Sequence, residues 1–478
     1  MNNNYYEPHL EWEAVAFPLI LENPQFEDAA YVFDGPSSIT LWREVNLQLK
    51  ATMQGRMKNP KMLDDEREYG RGNMVKQSII NACDTMGNKA ILTGCVLGGY
   101  QFKSDEVNED GYLVNMELVF DTATLTKLAA SPDQHFEWFL VQNFDAHLYG
   151  TTRRSLQTSQ KKIRVGVDLE EPNDRLSGSS VSRDYFVLEQ PGFSCIIARV
   201  PPEFTGKKMA GLCIEFRGTE IEKMNPELLH NLKGLLSILL GGKLYFIGYS
   251  KIAKGELVES FLDSPDIPLK LPVAMPPIHY NMQYDWGNFA LQTNLLFPQY
   301  QALQEILFLN NAVDRYWISQ TVPIGANLPI LAGGLEVIAN AYLKMAGNNQ
   351  VEYMPQPDYE DLIGRELLII AAKLGSVKDG DKMFNKIKGA FRKGSNEKIN
   401  LFFDLLDLNI DRSEKEAIKL RNKMTHSTRD YTIEENAHDD VIATRVYQAL
   451  FNRIFLKILG YQGYYIDYSL KGSPSKQI

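Results

Sequence analysis

Cysteine is scarce in this chain of 478 residues. The four present, Cys83, Cys95, Cys195 and Cys213, show no C-x-x-C spacing and lie in apolar, strand-like surroundings. That pattern excludes a disulfide framework and a structural zinc site, and it reads as reduced core thiols of a cytoplasmic protein. Long apolar runs are also missing. The most apolar, Leu235 to Leu240, is cut short by Gly241, Gly242 and Lys243, so no stretch reaches membrane-spanning length and no membrane partner is expected. Residues Met1 to Glu7 have neither the basic nor the apolar region of a signal peptide. An excess of positive charge is lacking as well: 50 Lys and Arg face 60 Asp and Glu, a net charge of −10. The surface as a whole therefore does not attract nucleic acid, and any RNA must find a local basic patch. No Gly-x4-Gly-Lys-Ser/Thr loop, Gly-x-Ser-x-Gly elbow or His-Glu-x-x-His helix occurs, which removes the first support for NTPase, serine-hydrolase and metalloprotease readings.

What is present is ordinary globular composition, 44% hydrophobic and 23% charged, enough for two or three domains with sizeable cores. The pattern changes character near residue 283. Before it, short alternating or β-branched runs dominate, at 38–42, 90–97, 112–120 and 193–200, with the turn dipeptides Asp110-Gly111 and Pro191-Gly192 just ahead of two of them. Helices interrupt this region, most clearly at 225–240, with Asn225 as N-cap before Pro226. The Pro-rich stretch 268–277 forbids regular helix and reads as a linker. Beyond it, helical periodicity predicts segments at 298–319, 328–346, 358–374, 380–391, 396–408, 413–426 and 437–459. Leu331, Leu335, Ile338, Tyr342 and Met345 form one apolar stripe, Asp358 is placed to cap its helix, and residues 471–478 read as a loose tail. The predicted fold class is thus α+β and multidomain: a β-rich region over 1–282 and an all-α bundle over 283–478.

The chemistry concentrates at Arg421-Asn422-Lys423-Met424-Thr425-His426. Ser413 and Glu416 stand at capping-box spacing, so a helix is expected to begin there and carry the motif near its end, with Leu420 and Met424 toward the core. Arg421 and His426 are separated by roughly 140° of ideal helix, so they converge on one phosphate only through the reach of the arginine, an unwound helix end, or a second chain. The plainer alternative is that Arg421 pairs with a carboxylate and His426 is a polar helix-end residue favoured by the dipole. Basic residues gather nearby: Lys378, Lys382, Lys386, Lys388, Arg392, Lys393 and Lys398 ahead of the motif, and Lys415, Lys419 and Lys423 around it. Of these, Lys382, Lys386, Lys419 and Lys423 are the candidates for RNA contact. His438, Asp439 and Asp440 are adjacent and read as the acidic start of a helix rather than a metal site.

Arginine, a polar residue and then histidine after a short spacer at a helix end resembles the signature of the HEPN superfamily, whose nuclease members cut RNA without a metal. Residues 335–343, with Glu336, resemble the early helix of that domain that often carries a glutamate, and 437–460 resemble its closing helix. Residues 226–247 resemble the N-terminal region of ApeA-type proteins, which join a β-rich region to a C-terminal HEPN domain and are associated with anti-phage defence. The resemblance implies a homodimer, or a higher homo-oligomer, sharing one cleft. It implies RNA as substrate, transfer RNA among the candidates, a phage-derived trigger, and no cofactor. It assigns Arg421 to phosphate binding, His426 to proton transfer, Asn422 to the phosphate or the histidine, and Glu336 to orienting the arginine. The residue types suit such chemistry: a histidine titrates near neutral pH, and an arginine fork holds phosphate oxygens while staying charged. RNA brings its own nucleophile, the 2′-hydroxyl, so the expected products are a 2′,3′-cyclic phosphate and a 5′-hydroxyl. The competing expectation is a non-catalytic module for nucleic-acid binding or dimerisation.

Overall fold

The structure is a computed structural model. It describes residues 19–26, 37–44, 47–57, 78–84, 86–108, 111–126, 134–142, 185–200, 210–217, 226–253, 256–265, 272, 274, 276–278, 286–347, 351–426 and 434–478. The expected Asn225 cap and the Asp110 turn position lie outside these residues. The chain divides into two compact units: residues 1–229, 242–273 and 280–294 form the first, and 230–241, 274–279 and 295–478 the second.

The first unit is built on antiparallel strands. Six of them, β1 (Leu19–Phe26), β2 (Ser38–Arg43), β3 (Leu49–Met57), β4 (Ser78–Asp84), β5 (Lys89–Asn108) and β6 (Gly111–Phe120), pair in the closed order β4-β1-β2-β3-β6-β5-β4. Closure into a barrel leaves these strands few free edges. Strict alternation fills the interior. Ile39 and Leu41, Leu49, Ala51 and Met53, Ala90 and Leu92, and Val114, Met116, Leu118 and Phe120 all point inward and are buried. Within the long β5, Gly94 takes φ +65°, a left-handed value; a Cβ there would run into the Asp121 carboxyl group.

Strand β7 (Thr122–Thr126) leads out of the barrel, pairing with β5 on one side and β13 (Glu256–Asp263) on the other. From there the sheet continues β13, β12 (Tyr245–Ala253), β8 (Gln134–Gln142), β11 (Ala210–Arg217), β10 (Phe193–Val200) and β9 (Tyr185–Gln190). Pro191 and Gly192 make the two-residue turn joining β9 to β10; Gly192 has φ +100°, which suits a Pro-Gly turn of type II. Buried Arg43 ties barrel to sheet extension. Its guanidinium donates to the carbonyls of Leu47 and Asp263 at 2.7 Å each and of Ile247 at 2.9 Å. The outer edge of β9 is covered by one side chain: Asn294 accepts from the Glu189 N–H at 2.7 Å and donates to the Val187 carbonyl at 3.0 Å. Among the described residues no strand pairs with this edge, and the amide meets two of its backbone groups.

The second unit is helical. Among the described residues the helices are α1 (Pro226–Leu240), α2 (Trp286–Leu307), α3 (Leu309–Ser319), α4 (Asn327–Met345), α5 (Gln356–Leu374), α6 (Gly380–Lys388), α7 (Ser395–Leu405), α8 (Arg412–His426) and α9 (Glu434–Ile458), with α1 and α2 divided between the two units. The single helix expected at 298–319 is two, α2 and α3, because Phe308 turns left-handed at φ 53° and breaks the run; Pro298 lies inside α2 rather than at its start. Asp358 does not cap α5 but sits in its first turn, two residues past the true start, where a carboxylate still favours the helix dipole. Met345 leaves the expected α4 stripe and is exposed, whereas Leu331, Leu335 and Ile338 are fully buried. Aromatic packing knits α3 to α9, with Tyr316 and Phe451 at 5.0 Å, and α4 to α7, with Tyr342 and Phe402 at 5.5 Å. Gly334 permits the close approach of α3: a Cβ there would stand 3.1 Å from the Ala312 carbonyl.

At described residues of two segments read as linker or loose tail, backbone groups find tertiary partners. In the Pro-rich stretch, the Ala274 N–H donates to the Gly241 carbonyl at 2.9 Å, and the Pro277 carbonyl accepts from Ile466 N–H at 2.8 Å. The C-terminal residues form β15 (Ser475–Gln477), paired with β14 (Tyr464–Ile466) and locked by Lys476 against Asp467 at 2.7 Å. The loose tail expected at 471–478 is thus in part a strand, its backbone groups met by β14.

Candidate functional site

Helix α8 carries the motif, and its local start is a reciprocal cap. The Asp411 side chain accepts from the Glu414 N–H, and the Glu414 side chain accepts from the Asp411 N–H, both at 2.9 Å. The cap is therefore Asp411 with Glu414, two residues before the expected Ser413 and Glu416 pair; Ser413 instead donates its hydroxyl to Asp411 at 2.7 Å. Glu416 is exposed and pairs with Arg412 at 2.9 Å.

The inward stripe of α8 is Glu414, Ala417 and Arg421, which are buried, rather than Leu420 and Met424, which are half-buried. Spacings of three and four put the three on one face. Two of them are charged, and each meets a counter-charge from a neighbouring helix. Glu414 Oε1 lies 3.0 Å from Arg453 Nη2 on α9. Arg421 Nη1 lies 2.6 Å from Glu336 Oε1 on α4. Burial pushes the Glu414 carboxyl above its ordinary range, against the opposing pull of Arg453 and of the Asp411 N–H. The Tyr447 hydroxyl, on α9, is fully buried and pushed up to about 12 by that burial, with the Arg421 charge beside it acting in the opposite direction.

Arg421 itself is only 7% exposed, whereas the Glu336 side chain is 37% exposed. The fold thus joins two residues singled out from sequence, Arg421 and Glu336, and adds Tyr447, which sequence reasoning passed over. Nothing but a tyrosine on the apolar stripe of α9 marked it. Asp440 was also missed as a core residue: α9 begins at Glu434 rather than 437, so Asp440 falls in its second turn and is completely buried. Thr444 donates to the Asp440 carbonyl at 2.7 Å. For Asn422, Lys423 and His426 only the backbone is described: all three lie in α8, and His426 is its last residue.

The lysines expected to contact RNA are carried by two helices. Lys382 and Lys386 lie on α6, which packs on α5, and Lys419 lies on α8, which packs on α9 and α4. Lys382 is exposed but bonded to Asp379 at 2.8 Å, and Arg392 lies over the Phe391 ring at 5.0 Å. Lys419 is exposed on the rim of a groove of about 390 Å³ between α8 and α9, floored by Ala417, Leu420, Ala443 and Val446. Among the described residues, no cluster of three or more His, Cys, Asp and Glu side chains is placed to hold a metal, and no helix is long and apolar enough to cross a membrane.

Comparison with protein-family models, with curated proteins and with solved structures found no match to this chain. The architecture that stands is a β-rich N-terminal region with a six-stranded barrel, followed by a helical C-terminal region.

Proposed function

We propose that the chain is a metal-independent endoribonuclease of the HEPN type, acting in the cytoplasm in anti-phage defence. The observation that carries the reading is the contact between buried Arg421 and half-exposed Glu336, since the resemblance assigns the arginine to the motif and the glutamate to orienting it. In this reading His426 accepts the proton of the RNA 2′-hydroxyl, the 2′-oxygen attacks the adjacent phosphorus, and the bond from phosphorus to the 5′-oxygen breaks. The leaving oxygen takes a proton from a second acid, which a partner chain's motif supplies. Such proton transfer is worth about 10²–10⁴ in rate. Arg421 is buried and paired with Glu336, so in this reading it meets a phosphate only after that pair opens.

A second reading is favoured by the same burial. An arginine 7% exposed and already paired behaves as a structural tie, and the bundle then serves as a nucleic-acid-binding or dimerisation module without catalysis. Induced expression in a bacterial host, with and without phage, separates the two when RNA ends are mapped for the parent, Arg421→Ala and His426→Ala. Cleavage to cyclic-phosphate ends in the parent, lost in a His426→Ala protein of unchanged helical content, supports the nuclease. Intact RNA throughout infection, with protection persisting in both variants, supports the module.

A further inference from the structure

Residues 274–279 are a short piece of the helical unit, entered by the chain after β13 and left before α2. Pro276, Pro277 and Ile278 are buried. A proline has no N–H to offer, so this stretch is anchored through its carbonyls and the few N–H groups around them. The Ala274 N–H donates to the Gly241 carbonyl at 2.9 Å. Gly241, at φ +70°, leaves the room for it: a Cβ there would stand 2.5 Å from the Ala274 carbonyl oxygen and 2.8 Å from Pro276 N. The Tyr468 hydroxyl donates to the Pro276 carbonyl and the Ile466 N–H to the Pro277 carbonyl, both at 2.8 Å. Both donors belong to the β14–β15 hairpin.

The same hairpin reaches the start of α8. Tyr465, Ile466 and Asp467 are buried, and Lys476 of β15 pairs with Asp467 at 2.7 Å. The Asp467 hydrogen bond and the Asp411 charge both favour protonated Lys476, and in return the Lys476 charge helps to hold Asp411 ionised against its partial burial. Burial raises the Tyr465 hydroxyl, with the Arg453 charge acting in the opposite direction. Arg453 Nη2 lies 3.0 Å from Glu414 Oε1 and donates to the Asn409 carbonyl at 3.2 Å. Glu414 and Asp411 are the two halves of the α8 cap. A run of polar partners thus leads from Pro276 and Pro277, through the hairpin, to the first turn of the helix that carries Arg421. Buried groups of this kind are costly to leave unpaired, so the loss of one link weakens those beside it.

We infer that the β14–β15 hairpin is a strap that ties residues 274–278 to the first turn of α8, the three opening and closing as one cooperative piece. The inference is independent of RNA cleavage. Its consequence is that a pull on residues 274–278 loosens the start of the motif helix. The test is amide hydrogen exchange of the full chain, read by mass spectrometry with fragmentation to single residues, for the parent, Tyr468→Phe and Asp411→Asn. Tyr468→Phe removes only the hydroxyl that serves the Pro276 carbonyl. It is expected to speed exchange of the Glu414 and Lys415 N–H groups about tenfold, although neither touches Tyr468. Asp411→Asn keeps a side-chain acceptor for the Glu414 N–H and removes the charge that faces Lys476. It is expected to speed exchange of the Ile466 and Ala274 N–H groups, since coupling is reciprocal. Amides of Leu335 to Leu343 in α4 are expected to keep their parent rates in both variants. Changes confined to the hairpin in Tyr468→Phe, or to α8 in Asp411→Asn, overturn the inference. An equal rise in α4 marks general loss of stability and overturns it as well.

Discussion

Arg421 Nη1 on α8 lies 2.6 Å from Glu336 Oε1 on α4, with the arginine buried and the glutamate partly in solvent. Because the cation is the more enclosed member, losing the anion is the more costly change. Glu336→Ala is expected to lower the unfolding free energy of the helical unit by about 3 kcal/mol, since it leaves an uncompensated buried charge. Glu336→Gln, which keeps a hydrogen-bond acceptor, is expected to cost less. Urea unfolding followed by helical circular dichroism reads both, and the Glu336→Ala/Arg421→Ala double variant is expected to lose less than the sum of its singles. Equal, additive losses would show that the two side chains do not communicate.

The barrel depends on a backbone position that only glycine occupies freely. Gly94→Ala must hold φ +65° and displace the Asp121 carboxyl, whereas Gly87→Ala meets only the cost of φ +82°, with nothing within 4 Å of its new Cβ. The second is expected to cost about 1 kcal/mol, and the first clearly more, by denaturant midpoint. A smaller loss at Gly94 than at Gly87 would contradict the close approach of Asp121.

Arg43 serves three carbonyls at once, and no other side chain of its reach carries the same fork. Arg43→Met keeps much of the apolar stem and strands buried acceptors, each costing about 1–3 kcal/mol. Faster amide exchange is expected in the strands around Leu47, Ile247 and Asp263, measured by mass spectrometry. Unchanged protection there would show that the clamp is dispensable.

At the C-terminus the effect is one of pH. Burial raises the Asp467 carboxyl, but the hydrogen bonds from Lys476, from the Ser469 hydroxyl and from the Ser469 N–H outweigh it and hold the group below the usual carboxylate range. A depressed folded pKa contributes stability that is present above the unfolded value, about 3.9, and is lost as pH falls through the lower folded value. The β14–β15 hairpin is therefore expected to loosen in acid below that range, seen as faster exchange of the Ile478 N–H, which donates to the Gly463 carbonyl. Asp467→Asn should remove this acid dependence; a hairpin equally acid-sensitive in that variant would place the titrating group elsewhere.

Much of the layout was legible in the residues. The strands around Ile39, Leu92, Val114 and Ile197 announce themselves by alternation, and α4, α7, α8 and α9 by apolar spacing, with boundaries displaced by a few residues. The misreadings have identifiable causes. At α8, two overlapping Ser/Asp and Glu pairs both fit a capping box, and only backbone geometry selects Asp411 with Glu414. The inward face of the same helix was misassigned because pattern reading sends leucine and methionine inward and charge outward, whereas Glu414 and Arg421 are buried against partners on other helices. The strand β8 pairs with β11 and β12, far away in sequence, and no local signal announces such neighbours.

By itself the sequence determined the order of a β-rich region before a helical one, the segments able to become strands or helices, and the spacing of Arg421 and His426 along one helix. These follow from local periodicity, turn residues and caps, which act over a few residues. Tertiary structure alone decided that the first six strands close on themselves, that Asn294 covers an open strand edge, and that Arg421 lies buried between Glu336 and Tyr447. Those outcomes depend on which distant groups come together to exclude water, and a buried charge is tolerated only where its counter-charge arrives from another element of the fold.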